Sequence, residues 1–156
     1  VNFDPFEPDA RLAQKFDFIT VMAVIEHYPH SLKTFMENII KLMNTEARIY
    51  IEVPNIAYLP KRIRMLLGHS PLVPLEDIFL SEVPFIGHHH EFTIAELRDL
   101  ARLSGLIIRE ESFYNYSLNC QPLWKKVLKC ALQPAFLFLK EGRECLSVLC
   151  ERNANS

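Results

Sequence analysis

Residues 16 to 55 read FDFITVMAVIEHYPHSLKTFMENIIKLMNTEARIYIEVPN. The first ten of them, FDFITVMAVI, form a nearly continuous apolar and β-branched run, the pattern of a strand buried on both faces of a parallel sheet. A polar break, EHYPHS, follows. Leu32, Phe35, Met36, Ile39, Ile40 and Met43 then recur at helical spacing, with Ser31 placed as an N-cap. Residues 48 to 53, RIYIEV, read as a second strand that ends at Pro54-Asn55, since proline cannot donate to a central ladder. Strand, helix and strand with short connections make a βαβ unit, whose right-handed crossover implies a parallel sheet covered by helices. The expected fold class is α/β.

Working outward, residues 56 to 90 carry Pro60, Pro71, Pro74 and Pro84 and a basic cluster, Lys61, Arg62 and Arg64, and read as a lid-like insertion with one short helix. Thr93-Ile94-Ala95-Glu96 is a capping box, Phe92 and Leu97 supply the matching staple, and Gly105 stops the helix. Residues 106 to 113, LIIREESF, predict a third strand, and residues 145 to 151, CLSVLCE, a fourth that pairs at the sheet edge. Between these two lies a second insertion, 114 to 144, apolar but interrupted by Lys125, Lys126, Lys129 and Pro134. Its segment 123 to 139 fits a membrane-surface helix or a helix hairpin on the sheet. The whole of 1 to 156 reads as one domain.

Composition narrows the function. The chain has four glycines, where roughly eleven would be usual. Gly68, Gly87, Gly105 and Gly142 are widely spaced, so none of them builds a glycine-rich phosphate loop. A net charge of −2 leaves no overall footprint for nucleic acid. The four cysteines follow no C-x-x-C spacing and fit a reducing, cytoplasmic setting. No uninterrupted apolar run reaches membrane-spanning length, and no leader pattern opens the chain. Its first residue, Val1, fits a processed or excised piece.

In open α/β sheets ligands sit beyond the carboxyl ends of the strands. Glu26 and His27 follow the first strand, and Pro54 and Asn55 the second. The run Gly87-His88-His89-His90-Glu91 precedes the capped helix, and a folded-over insertion would bring one of its histidines to His27. A solvated carboxylate, a structural histidine and a bare surface loop are the plainer readings of the same residues. A metal centre needs three or four converging ligands, and Glu26 and His27 with one distant histidine fall short of assigning one. Lys61, Arg62 and Arg64 fit an anion contact or a solvated helix face.

The order of these signals resembles the carboxyl-terminal two-thirds of class I S-adenosylmethionine-dependent methyltransferases, over roughly residues 3 to 113. The likeness rests on the Phe-Asp opening of 16 to 25, Glu26-His27, the helix, Val53-Pro54-Asn55 and the helix start HHHEFTIAEL. It implies a Rossmann-like, mostly parallel sheet with an antiparallel edge and without its first strands. It further implies S-adenosyl-L-methionine as cofactor, approached by Asp4, Met22 and Ala23, with His27 as general base, Glu26 beside it, and His88, His90 and Asn55 on the substrate side. The acceptor implied is a small molecule or a lipid- or saccharide-linked one, with no nucleic acid.

Two departures qualify the pattern. The family's glycine-rich loop would lie upstream of Val1, which leaves a non-catalytic binding module derived from the fold as an alternative. Metal-using branches, among them RNA 2′-O-methyltransferases, read Glu-x-x-Glu-His, and here the first of those positions is Ala23. That favours no metal, with metal-dependent RNA 2′-O-methylation as a further alternative. The family's first strand lies beside its fourth, so residues 16 to 24 are expected to present an open apolar edge through which the chain dimerises or aggregates.

Overall fold

A computed structural model describes residues 15–81, 85, 87–116, 127 and 139–153. Asp4 and nearly all of 123 to 139 lie outside the described residues. The elements run β1 (Phe16–Met22), α1 (Leu32–Lys41), β2 (Met43–Pro54), α2 (Leu59–Leu66), α3 (Leu75–Phe79), α4 (Ile94–Leu103), β3 (Leu106–Tyr114) and β4 (Cys145–Arg152). They form one four-stranded sheet in the order β1-β2-β4-β3.

The βαβ unit is present, with β1 and β2 parallel and Val21 opposite Ile51. β3 and β4 complete a mixed sheet in which only β4 runs against the others, pairing antiparallel with β2 and with β3. The α/β class therefore holds, but residues 145 to 151 sit inside the sheet and β3 takes the edge. Alternation explains the difference: Leu146 and Val148 of β4 point into the core with Cys150, and all three are essentially buried. A strand that apolar on its inward face gains more between two neighbours than at a rim.

β2 begins five residues before its expected start because Met43 and Ala47, both fully buried, extend its inward row. Ile49, Ile51 and Val53 continue that row, and Phe35, Met36 and Ile39 of α1 with Ile94, Leu97 and Ala101 of α4 pack over it as a single core. The other sheet face, carrying Tyr50 and Glu52, is only partly covered. β1 departs from the two-faced burial expected of it, since Phe18 and Met22 are half-exposed. Among the described residues only β2 pairs with it, so one flank of the strand is open.

Local signals performed unequally. The Thr93 box closes as expected: Glu96 N–H donates to Thr93 Oγ1, and Thr93 N–H donates to the Glu96 carboxylate. Ser31 precedes α1 but makes no side-chain cap bond. The first insertion holds two short helices, α2 and α3, where one was expected. No helix among the described residues is long and apolar enough to cross a membrane.

Candidate active site

The site is built where β1 stops. Ala23 takes a φ of 51°, a left-handed conformation that costs a non-glycine residue about 1 kcal/mol, while its N–H donates to the Glu52 carbonyl at 3.1 Å. That turn ends the strand and leads into a single 3₁₀ turn, Ile25–His27. Ile25 is pulled into the core, and its neighbour Glu26 goes under with it, leaving only 1% of that residue accessible.

The histidine loop is tied to this turn from the other side. The Glu26 carbonyl accepts the N–H of His89 at 2.7 Å and that of His90 at 3.3 Å. His27 Nδ1 lies 3.0 Å from the Gly87 carbonyl, a partner that can only accept, so Nδ1 carries a proton and, in the neutral ring, Nε2 holds the lone pair. Nε2 stands 4.0 Å from Glu26 Oε1, on a side chain that remains partly open to solvent. The rings of His27 and His88 meet edge to face at 4.6 Å.

His88 is held in turn. Its Nδ1 is 3.0 Å from Glu91 Oε1, and Lys61 of α2 pairs with the other oxygen of Glu91. Ligand atoms of Glu26, His27 and His88 all lie within 4.8 Å of one another. Glu26 Oε2 is buried and has no hydrogen-bond partner among the described residues. Burial raises the Glu26 pKa above the ordinary carboxylate range; its own backbone N–H and the nearby His27 and His88 offset part of that rise. A buried carboxylate with one orphaned oxygen, next to two imidazoles whose Nδ1 atoms face acceptors, fits a proton or a divalent cation at its centre.

The other expected site residues fall elsewhere. Met22 ends β1, half-exposed, opposite Glu52. Asn55 is buried, and its amide is spent on the backbone: Nδ2 donates to the Glu141 and Arg143 carbonyls, both at 2.7 Å, and Oδ1 accepts from Ala57 N–H. It is a joint between the end of β2 and the approach to β4, with both amide hydrogens engaged by backbone carbonyls. His90 leaves the cluster as well, because its Nε2 turns to Glu96 at 3.1 Å. It lines a groove of about 970 Å³ between α1 and α4. Of the basic cluster, Lys61 supports the site, Arg62 bonds the Ala57 carbonyl and Arg64 is exposed. The roles of Glu91, Lys61 and the Gly87 carbonyl were not readable from spacing; only the proximity of Glu91 to the histidine run pointed to one of them.

A methyltransferase domain family matches residues 1–111, more than half of the chain. The chain belongs to this family. No curated protein matches the methyltransferase chain by sequence. Among solved structures, the small RNA methyltransferase HEN1 is 17% identical with a TM-score of 0.58, over 99% of this chain and 16% of that one. The mycolic acid cyclopropane synthase CmaA1, complexed with SAH and CTAB, is 12% identical with a TM-score of 0.52, over 89% of this chain and 56% of that one. A SAM-dependent methyltransferase from Archaeoglobus fulgidus is 15% identical with a TM-score of 0.51, over 97% and 66% respectively. At such identities the likeness is one of fold, and the methyltransferase chain spans less than two-thirds of each of these relatives.

Proposed function

We propose that the protein transfers the methyl group of S-adenosyl-L-methionine to a hydroxyl of a small-molecule or lipid- or saccharide-linked acceptor, with His27 as general base. The observation that carries this reading is the meeting of Glu26, His27 and His88 beyond the carboxyl end of β1 in a methyltransferase-family chain. When bound, S-adenosylmethionine supplies an electrophilic methyl on a sulfonium. Met22 and Ala23, at the strand end, are the described residues placed to border it.

In the neutral ring, whose Nδ1–H is held by the Gly87 carbonyl, His27 Nε2 takes the proton of the acceptor hydroxyl as the oxygen attacks. Glu26 then faces an imidazolium rather than an imidazole, which compensates its buried charge. Calorimetric titration of the full-length protein with S-adenosylmethionine should show stoichiometric binding; no binding overturns this function.

The orphaned Glu26 Oε2 favours a second reading, in which Glu26, His27 and His88 hold a divalent cation that polarises the acceptor oxygen, as metal-dependent RNA 2′-O-methylation would need. Ala23 weighs against it, for it leaves the set one carboxylate short. Activity that rises on titration with magnesium or manganese, and further in Ala23→Glu, would establish this reading; activity indifferent to both ions and to chelator removes it. A non-catalytic module would show neither cofactor binding nor turnover.

A further inference from the structure

Among the described residues, exposed large apolar side chains concentrate between residues 59 and 80. Leu66, Leu67, Leu75, Phe79 and Leu80 are each between 69% and 85% exposed. Apolar patches of this kind mark interaction surfaces in proteins that are otherwise water-facing. On α2 the apolar residues Leu59, Ile63, Leu66 and Leu67 follow i, i+4, i+7, i+8 spacing and make one stripe. Its start is seated on the body, with Leu59 against Gly142, and its end runs out to Leu66 and Leu67.

Helical geometry puts Arg62 and Arg64 on the two borders of that stripe, both exposed, and Lys61 on the back, where it pairs with Glu91. No acid occurs from residue 56 to 75. α3 repeats the division: Leu75, Ile78 and Phe79 share one side, and Glu76 and Asp77 fall on the other. An apolar stripe edged by arginines on α2, and one on α3 with its acids on the opposite side, complement a surface that is hydrocarbon beneath and anionic above.

We propose that residues 59–80 dock on an anionic lipid bilayer, the leucines and Phe79 entering the headgroup boundary while Arg62 and Arg64 meet lipid phosphates. Because Lys61 joins the back of α2 to Glu91 and His88, docking would set the strand-end cluster beside the membrane. The proposal concerns binding alone and stands whether or not methyl transfer is the activity.

Co-sedimentation of the full-length protein with vesicles of phosphatidylcholine alone, or mixed with phosphatidylglycerol, tests it without cofactor or acceptor. Binding to the mixed vesicles that weakens with salt is expected. Arg62→Gln with Arg64→Gln should weaken that binding by about tenfold or more, and Leu66→Ser with Phe79→Ser should abolish it, with the circular dichroism spectrum unchanged in both. Failure to sediment with either vesicle, or equal sedimentation with both, overturns the proposal. So does binding that survives both double substitutions, because the contact would then lie elsewhere on the molecule.

Discussion

His27 and Glu26 are neighbours in sequence whose environments set them apart: the imidazole side chain is partly open to solvent, and the carboxylate is buried. Replacing His27 with alanine should lower kcat by about a hundredfold or more while leaving S-adenosylmethionine affinity nearly unchanged, read from steady-state kinetics beside calorimetry. For Glu26 the consequence is a pH dependence of stability. Its folded pKa is raised, so above the ordinary carboxylate pKa the folded state binds more proton than the unfolded one, and stability falls as pH rises until the raised value is passed. Glu26→Gln should remove this descending component in denaturant unfolding followed across pH 4 to 8; an unchanged slope would show that the carboxylate ionises as freely in the fold as outside it. Both residues could be picked from the sequence, since they directly follow an apolar strand. Glu26's burial could not, because it depends on Ile25 dragging the turn into the core.

Elements here are held by joints that are local in the chain in one case and distant in another. The Thr93 box belongs to the first kind. Burial alone would raise the Glu96 pKa, but the Thr93 N–H and hydroxyl bonds, with His90, outweigh it and hold the carboxyl below its usual range. Thr93→Ala should cost about 1 kcal/mol in chemical denaturation, and because it removes one of the bonds that lower the Glu96 pKa, the stability lost as acid protonates Glu96 should be smaller in the variant than in the native protein. Asn55 belongs to the second kind, linking the end of β2 to residues more than eighty positions later. Asn55→Ala strands two backbone carbonyls and should cost about 3 kcal/mol by the same measurement, with no change in acceptor KM in the protein that folds. That split separates a structural amide from the substrate contact its position after a strand had implied. The capping box was legible because its partners are three residues apart; the Asn55 joint was not, because nothing local signals carbonyls that arrive from Glu141 and Arg143.

Among the described residues the chain is a mixed sheet with α1 and α4 on one face and an open flank along β1. Phe18 and Met22 of that edge strand are half-exposed on the face that carries Tyr50 and Glu52, and unpaired apolar edge strands recruit other strands. Self-association of this chain is expected in light scattering and should be lowered by Phe18→Lys; a wild-type chain that stays monodisperse at high concentration would mean that the flank is already covered. The thin cover of that face explains why continuous hydrophobicity over residues 16 to 25 did not translate into burial. An apolar run states what a strand can bury, and only its neighbours state what it does bury.

By itself the sequence determined the βαβ unit, the capped helix, the last two strands and the order of motifs that places the chain among methyltransferases. These depend on periodicity and on contacts a few residues apart, which a linear text carries. Tertiary structure alone decided that β4 lies inside the sheet, that His88 rather than His90 joins Glu26 and His27, and that Asn55 serves the backbone. Each of those outcomes is a competition for partners remote in the chain: β4 for two apolar neighbours, His90 for Glu96, and the Asn55 amide for two carbonyls. Their energies exist only once the chain has closed on itself.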